Sequence, residues 1–267
     1  MTYCVGILLD RGLVFAADTR TNAGFDNISA FKKLHVWEKP EERVIVLLTA
    51  GNLAVTQAVV SLLTEEASAK PKAGEATLYS ATTMFQAARA VGRAIHKVKE
   101  TDGEALAKNG ESFSVSFILG GQIGKERPRL FQVYSAGNFI EAGPDTPFFQ
   151  IGEHKYGKPI LDRVAKPDMR LGEAAKMVLL SFDSTLRSNL SVGMPIDLLL
   201  CRTTGPRRCA TPSARSTSSI SEKNEREKKR RLPRLPVRPP ALLPALDQAL
   251  VRPKARQAYM PGFTGTA

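Results

Sequence analysis

The strongest constraint on this chain is a break in its composition at about Arg202. From Arg202 onward 15 lysines and arginines face 4 acidic residues, whereas 23 and 22 precede it. Nine of the 17 prolines also lie beyond that point. The formal net charge of +12 therefore describes the end of the chain, and the first 201 residues are close to neutral. Proline at that density stops both helix and sheet, and residues 225–231 add clustered basic charge. The expectation is a folded domain over 1–202 and a basic, proline-rich tail without a packed core over 203–267. Lys228 to Arg231 could attract a polyanion by charge alone. No recognition motif accompanies them, so a solvated tail is the simpler reading and nucleic-acid binding is not expected. A shifted reading frame near Arg202 would leave the same break.

The body has what a core needs, since hydrophobic residues make up 43% of the chain. That excludes a wholly disordered or collagen-like polymer. No apolar run approaches the roughly 18 residues of a membrane helix, so no membrane partner is expected. The start, Met1-Thr2-Tyr3-Cys4-Val5-Gly6, lacks the basic region of a secretory signal. Cys4, Cys201 and Cys209 have no metal-ligand spacing. They point to a reducing, cytoplasmic setting and away from a disulfide scaffold or a zinc site.

Two short apolar runs, 3–9 and 13–17, are split by Asp10-Arg11-Gly12, a hairpin signal. Residues 34–37 and 44–50 repeat the pattern, and Gly51-Asn52 ends it. Val55, Val59, Leu62 and Leu63 recur at helical spacing, as do Met84, Ala88, Val91, Ile95 and Val98. Phe113, Val115, Phe117 and Leu119 alternate with serines, which predicts a strand, and Gly120-Gly121 with Gly124 is expected to join it to the next. Further strands are expected at 130–134, 148–151 and 196–200, with a third helix through Leu171, Ala175, Val178, Phe182 and Leu186. Hairpins that open the chain exclude a doubly wound sheet, and there is no phosphate-binding glycine motif. The fold class is α+β, with strand groups stacked and helices outside.

The chemistry begins at Thr2. A small second residue favours removal of Met1, which would leave threonine with a free α-amino group. That amine has a reference pKa of about 7.7–8.0 and can take the hydroxyl's proton. Asp18 ends the second strand and Lys33 precedes the third. A lysine near the threonine hydroxyl would lower its pKa, and Asp18 would orient that lysine. A surface ion pair between Asp18 and Lys33 is the plainer alternative. Cys4 reads as a small buried hydrophobe, and His96, on a predicted helix face, as structural.

Several segments together resemble a known family. They are Thr2-Tyr3-Cys4-Val5-Gly6, Ala17-Asp18-Thr19-Arg20 with Ala23-Gly24, Lys32-Lys33, and Ala50-Gly51 with a helix behind it. These look like a proteasome β subunit, an N-terminal nucleophile hydrolase with a four-layer αββα sandwich. Residues 50–57, 151–163 and 183–197 bring the chain nearer to Anbu, the bacterial ancestral β subunit. The resemblance covers about residues 1–201. It implies Thr2 as nucleophile, Asp18 and Lys33 as its polar support, the Gly51 N–H in the oxyanion hole, and Ser191 beside the threonine amine. The implied activity is threonine-type hydrolysis of peptide bonds in a peptide or polypeptide substrate, with no metal or organic cofactor. A catalytically silent scaffold and a small-amide hydrolase are the alternatives. The chain departs from the proteasomal pattern at Ser188, where Asp is usual, and at Gly152-Glu153, where Gly-Ser is usual. The resemblance also implies a homo-oligomer, a ring or shallow ring-like helix. Ala87, Ala90 and Ala94 are expected on an outer helix face as subunit contacts, and the divergent tail predicts weaker assembly.

Overall fold

The computed structural model describes residues 2–22, 28–68, 74–203 and 209–210. The chain separates into two units, Met1–Ser213 and Ala214–Ala267. The second lies outside the described residues, and so does most of the expected tail, residues 225–231 included.

The first unit stacks two antiparallel sheets between two helical layers. One sheet has the order β10–β1–β2–β11–β12, from β1 (Tyr3–Leu9), β2 (Gly12–Asp18), β10 (Phe148–Gly152), β11 (Ile196–Arg202) and β12 (Cys209–Ala210). The other has the order β5–β6–β7–β8–β9, from β5 (Leu34–Lys39), β6 (Arg43–Gly51), β7 (Val115–Ile123), β8 (Arg129–Tyr134) and β9 (Phe139–Glu141). A short ribbon pairs β3 (Arg20–Asn22) with β4 (Ile28–Ala30). Helices α1 (Leu53–Ser68) and α2 (Met84–Lys108) cover the second sheet, and α3 (Lys158–Val164) and α4 (Leu171–Ser188) cover the first.

Alternation along the strands builds three apolar layers. In β1 and β2, Cys4, Leu13, Phe15 and Ala17 face the space between the sheets, while Tyr3, Val5, Ile7, Val14 and Ala16 face α3 and α4. Both faces are buried, so β1 and β2 read as continuous apolar runs and not as an in/out pattern. In β6, Val44, Val46, Leu48 and Ala50 meet the other sheet, and Ile45 and Leu47 meet α1 and α2. The predicted four-layer αββα sandwich is therefore the fold.

Several expectations need correction. The strand after 113 does not end at the glycines: β7 runs through Gly120 and Gly121 to Ile123. A Cβ on Gly120 would lie 2.7 Å from Cζ of Phe15, so this glycine lets the sheets approach rather than making a turn. Ala87, Ala90 and Ala94 are not on an outer face; all three are buried in the layer shared by α1, α2 and the second sheet. Helix α2 is flanked on two sides, and small residues let its neighbours close in, which a single apolar stripe does not reveal. Cys201 is disulfide-bonded, which the reading of a chain without a disulfide scaffold does not foresee. Strand β12 pairs with β11 and places residue 209 opposite residue 201 in the backbone ladder, a strand that falls inside the expected tail. Cys4 is free and buried as expected, and burial pushes its thiol far above the usual range.

Candidate active site

Of the five residues singled out in the sequence, four lie at or beside strand ends and Ser191 lies in a turn. Thr2 immediately precedes β1 and is half-buried; Asp18 is the last residue of β2. Because β1 and β2 are antiparallel, with Cys4 opposite Ala17, the start of one meets the end of the other. The Tyr3 N–H donates to Asp18 Oδ1 at 2.9 Å. Lys33 Nζ donates to the same oxygen at 2.9 Å, and also to the Arg20 carbonyl at 2.6 Å. One carboxylate oxygen thus ties the residue after Thr2 to Lys33.

Both partners are hidden from water. Lys33 is 4% exposed and Asp18 0%. The plainer reading of a surface ion pair is therefore excluded. Burial pushes the Asp18 carboxyl above its usual range, against the pull of Lys33 and of the Tyr3 and Gly193 N–H groups. A buried pair of this kind contributes little net stability, but removing one partner strands the other's charge. Strand β5 starts one residue after Lys33, and the Lys33 carbonyl accepts from the Thr49 N–H at 3.0 Å, which fixes the lysine's backbone against β6.

Gly51 ends β6, two residues beyond Thr49, whose carbonyl meets Cys4 Sγ at 3.7 Å. Its φ is +114, and a Cβ there would lie 2.1 Å from the Ser114 carbonyl oxygen. Glycine is thus demanded by the backbone itself, whatever its N–H does for a substrate. Asn52 then caps α1, its Oδ1 accepting from the Ala54 and Val55 N–H groups.

Ser191 sits in the turn between α4 and β11. The turn reaches the Thr2 end of the sandwich through four contacts. Gly193 N–H points at Asp18 Oδ2 at 3.4 Å, Arg20 donates to the Leu190 carbonyl at 3.0 Å, and Thr19 donates from its N–H and its hydroxyl to the Pro195 carbonyl. The fourth comes from Glu153, just past β10. Its N–H donates to the Thr2 carbonyl at 2.7 Å, and its carboxylate accepts from Asn189 Nδ2 at 2.6 Å.

Geometry thus gathers Thr2, Asp18, Lys33 and the Ser191 turn into one connected cluster, with Gly51 at the neighbouring strand end. Sequence reading missed Arg20, Asn189 and the support given by Glu153. The one signal was the departure already noted at Gly152-Glu153. His96 is structural as read, with Nε2 at 2.8 Å from the Ala136 carbonyl. Among the described residues no group of three or more His, Cys, Asp and Glu could hold a metal ion, and no helix is long and apolar enough to cross a membrane.

A family model for the proteasome subunit matches residues 2–199. Solved structures with the same fold include a Gly-1 mutant of Anbu from Hyphomicrobium sp. strain MC1. It is 56% identical, with 89% of this chain and 100% of that one covered and a TM-score of 0.73. The helical assembly of the Anbu complex from Pseudomonas aeruginosa is 44% identical, covering 89% and 98%, with a TM-score of 0.73. Anbu from Yersinia bercovieri is 42% identical, covering 87% and 98%, with a TM-score of 0.70. A search of curated proteins gives no match.

Proposed function

The chain belongs to the proteasome subunit family, and on that premise we propose that it is a threonine-type amide hydrolase acting on peptide bonds. The observation that carries this reading is the single oxygen of Asp18, which holds both the Tyr3 N–H and the Lys33 ammonium. It ties a buried cation to the backbone of the residue that follows Thr2.

Removal of Met1 frees the α-amine of Thr2. The hydroxyl of Thr2 attacks the substrate carbonyl, and the α-amine accepts its proton and later passes it to the leaving amine. The positive charge of Lys33 favours the ionised hydroxyl, and Asp18 keeps that ammonium in place. The oxyanion is assigned to backbone N–H groups that include Gly51. Water then cleaves the acyl ester and returns Thr2. The helical assembly of the Pseudomonas relative supports a similar self-assembly of this chain.

Intact mass before and after a β-lactone tests the reading. Loss of Met1 and a single adduct, absent from Thr2→Ala, is the expected result. Retained Met1, or no adduct on a folded protein, overturns it in favour of a silent scaffold.

A further inference from the structure

Glu153 is the buried carboxylate that the chemistry above does not use. It is 5% exposed, and its side chain is held by three N–H donors. Oε1 accepts from the backbone N–H groups of His154 and Lys155, each at 2.9 Å. Oε2 accepts from Asn189 Nδ2 at 2.6 Å. These donors hold the carboxyl below its usual range, the Lys155 N–H foremost, so it is ionised at neutral pH.

Two consequences follow from donor and acceptor chemistry alone. A carboxylate only accepts, so Asn189 must turn its amide nitrogen toward Glu153. Its Oδ1 then faces the other way, where it accepts from the Ser191 N–H at 2.9 Å. The backbone of Asn189 is used as well: its N–H donates to the Thr185 carbonyl at 2.8 Å and its carbonyl accepts from the Val192 N–H at 3.2 Å. Burial does little for the outer part of this turn, because Leu190 is 87% exposed. Hydrogen bonds therefore set its conformation.

Glu153 also reaches the nucleophile segment directly. Gly152 has φ +87 at the end of β10, and a Cβ there would strike the Thr2 carbonyl oxygen. That geometry turns the chain so that the Glu153 N–H meets the same oxygen at 2.7 Å. One residue thus grips Thr2 with its backbone and the Ser191 turn with its side chain.

We propose that Glu153 is a positioning residue that holds Thr2 by its backbone N–H and the Ser191 turn through Asn189, keeping the two in one frame. The proposal rests on Thr2 being the nucleophile, and it assigns Glu153 no contact with substrate. Its effect is on the rate of the chemical step at Thr2, since a nucleophile and its base must keep their relative placement.

The donor–acceptor logic supplies a test by inversion. Glu153→Gln sets an amide nitrogen against the amide of Asn189, donor to donor. If Asn189 flips, the Ser191 N–H loses its acceptor. Asn189→Asp sets carboxylate against carboxylate. The double variant, E153Q with N189D, restores every pairing: the introduced amide donates to the introduced carboxylate, which still accepts from the Ser191 N–H. The readout is the acylation of mature Thr2 by a β-lactone, measured across electrophile concentration below any unfolding. Each single variant is expected to lower the limiting rate about tenfold, with half-saturation little changed. The double variant is expected within about threefold of wild type. Wild-type rates in the folded single variants overturn the proposal, even if their midpoints fall, since the role is then only structural. No recovery in the double variant overturns it as well.

Amide hydrogen exchange over residues 2–4 and 189–193 separates this proposal from the function it rests on. If wild type takes no adduct, Thr2 as nucleophile fails and exchange alone judges the clamp. Faster exchange in the single variants and recovery in the double support it; unchanged exchange overturns it.

Discussion

The space between the two sheets and the end of that space at Thr2 are built by opposite rules. Between the sheets the contacts are apolar: Cys4, Phe15, Val46, Leu48 and Ile118 touch without a charge among them. At the Thr2 end, Asp18, Lys33 and Glu153 are as well hidden, and each is held by directed hydrogen bonds. The first region tolerates apolar substitutions that conserve volume. The second tolerates little, because one lost partner leaves a buried charge or donor unpaired. Stability belongs mainly to the first region, and the proposed chemistry to the second.

The largest expected effect breaks the chemistry and spares the fold. Thr2→Ala should lower β-lactone acylation and peptide hydrolysis by at least about a thousandfold. Its unfolding midpoint should match wild type, because Thr2 is only half-buried. Next come two substitutions of similar cost and different meaning. Asp18→Ala leaves Lys33 as a buried, uncompensated charge, which costs about 3–5 kcal/mol. Phe15→Ala removes a fully buried ring from between the sheets, also about 3–5 kcal/mol. Denaturant unfolding should find both destabilised. Acylation per folded molecule should fall with Asp18→Ala and survive Phe15→Ala. If Phe15→Ala abolished acylation of the folded fraction, the division between the regions would be wrong. Gly120→Ala should cost about 1–3 kcal/mol by overpacking against Phe15, again without loss of acylation.

The two regions also differ in how far the sequence discloses them. Continuous apolar runs place β1, β2 and β6, which are buried on both faces, a shorter run places β5, and helical periodicity places α1, α2 and α4. It misplaces Ala87, Ala90 and Ala94, since burial against both α1 and the sheet widens the hidden side of α2 until only a narrow strip through Arg89, His96 and Lys99 stays exposed. It misses α3 and β9, which are too short to show a period. At the Thr2 end, Asp18 and Lys33 are legible through the family pattern around them. Asn189 is not, because its partner Glu153 stands 36 residues away and no local rule relates the two.

Alkaline pH sharpens the comparison through Tyr3, which lies under α4 with its ring against Phe182. Burial pushes its hydroxyl up to about 12 from 10.0, against the pull of Ser181 and Thr185. The folded state therefore prefers the neutral phenol. Its contribution is fully present below pH 10 and is lost as pH rises from 10 toward 12. Unfolding midpoints measured across that window should fall for wild type and fall less for Tyr3→Phe. A parallel decline of the two would assign the loss to other groups.

The smallest expected effect concerns a polar pair outside both regions. Arg187 and Asp183 are one helical turn apart on α4, at 3.0 Å, with side chains 77% and 57% exposed. They lie close in sequence to Asn189 and Ser191, so sequence proximity alone would group them with the Thr2 end. Burial argues otherwise, since water screens the pair and replaces each partner when the other is removed. Arg187→Ala should cost no more than about 0.3–0.5 kcal/mol, with acylation unchanged. A loss comparable to that of Asp18→Ala would mean that proximity to the turn decides, and not the absence of water.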